Sequence, residues 1–175
     1  MEKINAYKNG CMMYWKDDID LDYCKVCEEA RYKLTRERNP NRTKTPYTVL
    51  RYLAINPRLQ RLYASQATAE QMTWHANHQT EEGSMCHPSD AEAWRHFNQT
   101  HPDFAAEPCN VRLGLCIDGF TLHGQYGRTY FCKPVILTPY NLPLGMCLSS
   151  KYMFLTMVIS SPSNPKCLRE FTWSR

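Results

Sequence analysis

The chain has 175 residues, of which 43% are hydrophobic and 22% charged, with a formal net charge of +4. That length suits one domain or two small ones, and the composition is ordinary for a soluble globular chain. The polar opening Met1-Glu2-Lys3-Ile4-Asn5 has no apolar h-region, and the longest strongly apolar run, 153–159, is far too short to span a bilayer, so neither secretion nor a membrane role is expected.

Nine cysteines is an odd count without an export signal, which points to reduced thiols in the cytosol or nucleus rather than a disulfide scaffold. One pair has ligand-like spacing, Cys24-Lys25-Val26-Cys27, preceded by Cys11 with twelve residues between Cys11 and Cys24. A tight Cys-x2-Cys turn aims two thiolates at one tetrahedral ion, and a second knuckle normally completes the four. Here the second knuckle is half present, and the alternative is three unliganded cysteines in a small core.

The charge is uneven along the chain. From Cys24 to Arg61 ten basic residues stand against three acids, a surplus of seven, so the rest of the chain carries a net −3. With Tyr32 and Tyr47 interleaved, this stretch has the electrostatic footprint of a sequence-tolerant contact to a phosphate backbone, through Arg31, Lys33, Arg36, Arg38, Arg42 and Lys44. The bland alternative is a solvated loop rich in Lys and Arg.

Helical signals follow. Asn56-Pro57 reads as an N-cap with proline at the first helical position, leaving Leu59, Leu62 and Tyr63 on one face. Thr68 with Gln71 fits a capping box opening a helix through Trp74 and His75. Ser89 with Glu92 fits another, opening a helix through Trp94 and Phe97 that His101-Pro102 ends. His75, His78, Cys86 and His87 suggest a second metal site, but histidines beside a tryptophan are more often packed or hydrogen-bonded. No serine or cysteine has a triad context, 124–127 lacks the strand-to-helix setting of a phosphate loop, and there is no internal repeat.

Beyond residue 109 the period changes to two. Val111, Leu113, Leu115 and Ile117 fall on one face of a strand, and Arg112, Gly114, Cys116 and Asp118 on the other, so Asp118 sits at the strand's end opposite the greasy face. Runs at 130–138 and 153–159 read as two further strands, separated by the turn-rich Pro139-Tyr140-Asn141-Leu142-Pro143-Leu144-Gly145. Asp118-Gly119 also reads simply as a turn dipeptide.

Arg112-Leu113-Gly114-Leu115 before Asp118-Gly119-Phe120, then Pro134-Val135 and Pro139-Tyr140-Asn141-Leu142-Pro143, resembles the CACTA-type (En/Spm-like) plant DNA transposases. Pro57-Arg58-Leu59-Gln60-Arg61-Leu62, Trp74-His75-Ala76, and His87-Pro88-Ser89-Asp90 with Ala93-Trp94 are similar to the same family in the same order, so the resemblance runs from about Cys11 to Pro165. It implies an α+β chain in four parts: a degenerate zinc-ribbon-like module over 1–33, a basic and helical linking region over 34–108, the first three antiparallel strands of a ribonuclease-H-like core over 109–160, and an aberrant tail over 161–175. It also implies DNA, at transposon ends, as the partner and the nucleus as the location.

In such a core three acids hold two divalent ions, magnesium or manganese, that cut and rejoin DNA. Asp118 matches the first acid, as catalytic residue and metal ligand; the second and third are expected downstream, and Glu170 is not at a motif position. Tyr7 stands where the resemblance predicts a cysteine, so the zinc site would have Cys11, Cys24 and Cys27 and a fourth position open to water or a histidine. Lys133 stands where an aromatic is favoured, and 166–175 reads like an out-of-frame end. Three readings follow: a transposase nuclease, catalytically inactive in this chain alone; a zinc-dependent DNA-binding remnant; or an inert truncated transposon product. Strands without their usual cover are expected to leave an apolar face and an unpaired edge exposed.

Overall fold

The computed structural model describes residues 1–7, 10–33, 44–81, 83–123 and 129–161. They form a mixed α+β fold with strands β1 (Glu2–Ala6), β2 (Met13–Tyr14), β3 (Thr48–Tyr52), β4 (Leu113–Ile117), β5 (Phe120–His123), β6 (Thr129–Pro139) and β7 (Phe154–Ser161). The helices are α1 (Asn56–Ala64), α2 (Gln66–Met72), α3 (Trp74–Asn77), α4 (Glu92–Thr100), α5 (Pro102–Ala105) and α6 (Leu144–Cys147). The chain divides into two compact units, one of Met1–Leu53, Ile117–Pro134 and the residues from Met157 on, the other of Ala54–Cys116 and Val135–Thr156.

In the first unit the strand order is β2-β1-β3-β7, and every described ladder is antiparallel. Alternation in β1 and β3 sends Ile4, Ala6, Thr48 and Leu50 inward. Ile4 lies opposite Leu50 and Leu50 opposite Ile159, so three buried side chains form one row across the ladders. Strand β3 falls in the stretch expected to be basic and helical. Its run Thr48-Val49-Leu50-Arg51-Tyr52 is rich in strand-favouring residues, and pairing with β1 and β7 decides it.

The same unit holds β5 against β6, with Phe120 opposite Cys132 and His123 opposite Thr129. The region beyond 109 therefore has four strands where three are expected, because the chain breaks at Asp118-Gly119 and resumes pairing as β5. A Cβ at Gly119 would come within 2.6 Å of the Phe131 ring, so the break needs a residue without a side chain.

The second unit packs Leu62, Met72, Leu142 and Cys147 into a core, with Leu59, Tyr63, Val111, Met146, Tyr152 and Phe154 around it. The predicted face of α1 is the one that faces this core. Two helix starts differ from expectation. Ser65 occupies the N-cap position of α2 without a side-chain cap bond, while the Thr68 hydroxyl, inside the helix, donates back to the carbonyls of Leu62 (2.5 Å) and Ser65 (3.1 Å). The second capping box is built by His87 and Asp90 around a 3-10 turn over Pro88–Asp90, ahead of α4. As expected, α4 ends at His101-Pro102.

Asn141 ties this unit together. It is fully buried, its Oδ1 accepts the Arg112 N–H at 2.8 Å, and its Nδ2 donates to the carbonyls of Asn110 (2.9 Å) and Pro108 (3.5 Å). One amide thus substitutes for backbone pairing along 108–112, where a buried group without a partner is costly. Beside it Gly114 is buried, and a Cβ there would overlap the Tyr140 ring at 2.1 Å. Leu113 and Leu115 on the opposite face are exposed, at 38% and 55%. Apart from Gly114, the residues of β4 are exposed on both faces.

Replacing Asn141 by Ala should leave the Arg112 amide and the Asn110 carbonyl without partners, at a cost of about 3 kcal/mol. Urea titration of the full chain measures this, and a midpoint unchanged from wild type would rule out the keystone role.

Candidate metal centre and nucleic-acid interface

Two turns bring three thiols together in the first unit. The Glu28 N–H closes onto the Cys24 carbonyl at 2.8 Å, the Cys24 N–H onto the Glu29 carbonyl at 2.9 Å, and Glu28 takes a left-handed φ of 56° directly after the Cys-x2-Cys pair. From the other side, β1 leads to Tyr7, whose carbonyl accepts the Gly10 N–H at 3.0 Å. Gly10 has a φ of 75°, which delivers Cys11. Cys11, Cys24 and Cys27 then have their sulfurs within 4.8 Å of one another. Among the described residues this is the one cluster able to hold a metal ion. Buried Tyr7, Tyr14 and Cys24 form the small core behind it, with Met12 and Leu21 packed on.

Three thiolates fit three corners of a zinc tetrahedron, but the remaining protein group does not fit the fourth. Tyr7 is 1% exposed, and its hydroxyl donates to Glu29 Oε2 at 2.5 Å and is hydrogen-bonded with the Cys27 thiol. Burial, followed by the Glu29 contact, raises the Tyr7 phenol well above its ordinary value, so the phenol stays neutral and is a poor ligand.

The thiols differ from one another. Burial first, and then contacts with Cys27 and Cys24, push Cys11 up to about 11. The Glu29 backbone N–H leads the causes that lower Cys27, which is also the exposed member of the trio.

The basic residues predicted to touch DNA part company in the structure. Arg31 is 8% exposed, and its Nη1 donates to the carbonyls of Ile19 (2.5 Å) and Leu21 (3.0 Å). With its amide turned to accept, Asn5 takes Nη2 at 2.9 Å and Nε at 3.2 Å. The guanidinium also lies 4.5 Å from the Tyr14 ring centroid and 5.1 Å from that of Tyr32. Arg31 is thus withdrawn from any phosphate contact, because its donors satisfy turn carbonyls beside the thiol cluster. Lys33 and Lys44 are exposed; Lys44 reaches Asp22 at 3.4 Å and sits 5.1 Å from the Tyr32 ring centroid. Arg36, Arg38 and Arg42 lie outside the described residues, as do Glu170 and the tail.

Asp118 is exposed, and its Oδ1 accepts the Gly119 N–H at 2.7 Å. Among the described residues Asp118 belongs to no group of three or more metal-ligating side chains, so these residues do not build a two-metal site.

The histidines are structural. His78 stacks on Trp74 at 4.1 Å between centroids, and its Nε2 meets the Thr80 hydroxyl at 2.7 Å, which in turn donates to Asp90 at 2.8 Å. His87 is buried; its Nδ1 accepts the Ser89 N–H at 3.1 Å, and its Nε2 faces the Leu142 carbonyl at 3.1 Å. That pattern suits a neutral ring with its proton on Nε2. His75 packs edge-on against Trp94. The sequence passed over Arg112, whose guanidinium lies 4.0 Å from the Trp94 centroid and 4.9 Å from that of Phe97, with Nη2 donating to Asn98 at 2.5 Å. The Arg before the Leu-Gly-Leu run was the available signal, but only the fold shows the aromatic wall.

Two outcomes follow. With iodoacetamide near neutral pH, and without metal, Cys27 should alkylate well ahead of Cys11; peptide mapping that finds Cys11 first would contradict the thiol ordering. Burial chiefly holds His75 and His87 below their ordinary value near 6.5, so the folded chain takes up these protons less readily than the unfolded one. Their contribution is complete above pH 6.5 and is lost as the pH falls below it, so thermal midpoints should drop between pH 6.5 and 5; a flat profile there would exclude the effect.

Comparison with known proteins gives one family. Residues 82–167 match the family described as Transposase family tnp2, a span that contains Asp90, α4, β4, Asp118 and the Asn141 turn. No curated protein and no solved structure matches the chain. No helix among the described residues is long and apolar enough to cross a membrane. Over residues 82–167, just under half of its length, the chain is similar to transposase family tnp2, the En/Spm-like CACTA group that its motifs resemble.

Proposed function

We propose that this chain serves DNA transposition in the nucleus, as a part of a transposase that docks on DNA through its cysteine-cluster ribbon and carries the opening strands of a ribonuclease-H-like core. The observation that carries this reading is the transposase-family match across β4 to β7, with Asp118 at the β4–β5 break inside it. In that core Asp118 is the first of three acids that hold magnesium or manganese. A lone exposed carboxylate cannot clamp two ions, so DNA binding, and not cleavage, is the activity assigned to the chain alone.

The docking surface is the basic stretch after the thiol cluster. Exposed Lys33 and Lys44 flank the segment that bears Arg36, Arg38 and Arg42, and all of these follow the ribbon that Arg31 holds from within. Side chains of this kind pair with phosphates rather than read base edges, so affinity should depend on salt and tolerate sequence.

The test is an anisotropy titration of the full chain against a labelled duplex at several salt concentrations. Log affinity should fall linearly with log salt, and charge reversal of Lys33 and Lys44 together should flatten the slope by about two phosphate contacts. Absence of binding at low salt, or binding indifferent to salt, would sink the proposal.

A further inference from the structure

The thiol cluster lacks a fourth protein ligand in the position where Tyr7 stands, yet a carboxylate lies one hydroxyl away from it. We propose that Glu29 is the fourth ligand of a zinc ion held by Cys11, Cys24 and Cys27, and that Tyr7 is the residue that positions it.

The backbone of Glu29 is already fixed on the knuckle: its carbonyl accepts the Cys24 N–H at 2.9 Å, and its own N–H is bonded to the Cys27 sulfur. Its side chain is exposed, and its Oε2 accepts at 2.5 Å from the Tyr7 hydroxyl, which also interacts with the Cys27 thiol. The carboxylate sits outside the 4.8 Å cluster in the structure, turned onto that hydroxyl. Moving it inward gives zinc an oxygen ligand of an ordinary kind, while the phenol remains a donor to the carboxylate, as outer partners of ligating carboxylates are.

The charge also balances. Three thiolates and one carboxylate around a divalent ion carry the same total as four thiolates, so nothing else in the ribbon has to compensate for the absent cysteine. The thiol protons pass to solvent as the metal binds. This inference stands on the cluster alone and does not depend on DNA binding.

The experiment is metal titration of the full chain with cobalt(II), read by its visible spectrum, followed by zinc competition. The wild-type chain should give the bands of a tetrahedral site with three sulfurs and one oxygen. Glu29→Gln should weaken zinc by about tenfold or more and alter those bands, and Tyr7→Phe should weaken it less. Tyr7→Cys should bind zinc more tightly, and adding Glu29→Gln in that background should change nothing. If Glu29→Gln leaves the wild-type spectrum and affinity intact, the fourth ligand is not Glu29. If it weakens zinc equally beside Tyr7→Cys, its role is structural; either result overturns the proposal. The single Glu29 variant decides the matter should Tyr7→Cys fail to fold.

Discussion

The buried guanidinium of Arg31 is the interaction on which the turns around the thiol cluster depend. Its donors collect the carbonyls of Ile19 and Leu21 and the side chain of Asn5, while its faces rest on Tyr14 and Tyr32. One side chain thereby links β1, the turn after the 3-10 segment at Lys16–Asp18, and the return of the chain toward β3. A buried charge is stable only when its donors are satisfied, which is why the carbonyls converge on it. The consequence reaches the thiols, because Tyr14, held under the guanidinium, also packs on Cys24. A small module ordinarily relies on its metal for stability; this one has an internal cation doing part of that work.

The second unit is organised by a neutral group instead. The Asn141 amide pairs with the backbone of 108–112, and the turn that carries it also supplies the Leu142 carbonyl to His87. The Pro-Tyr-Asn-Leu-Pro run, which reads in sequence as mere turn chemistry, is therefore a packing device: Tyr140 closes over Gly114, Asn141 binds the strand entry and Leu142 fills the core. A family motif can persist for such reasons without touching substrate.

Asp118 shows how far a motif carries on its own. The family resemblance expects an acid at this position; in the structure Asp118 directly follows β4, and its local hydrogen bond to Gly119 is what any Asp-Gly break would make. Catalytic metal chemistry begins only when several carboxylates share one space, and the described residues gather no group of three or more ligands around Asp118. The thiol cluster is different in kind, since three donors from two separated turns already converge.

The sequence by itself determined the local pieces. The Cys24–Cys27 knuckle, the apolar face of α1, the end of α4 at Pro102 and the period-two runs that became β6 and β7 all depend on neighbours a few positions away. Only the tertiary structure decided the rest. It turned Arg31 from a predicted phosphate contact into a core residue, made β3 a strand by placing Leu50 between Ile4 and Ile159, and set the Tyr7 hydroxyl between Cys27 and Glu29. It also moved the capping box to His87 and Asp90 and enclosed Arg112 in aromatic rings. The physical reason is common to all of these: a side chain's role follows from which distant groups desolvate it and which satisfy its hydrogen bonds, and spacing along the chain encodes neither.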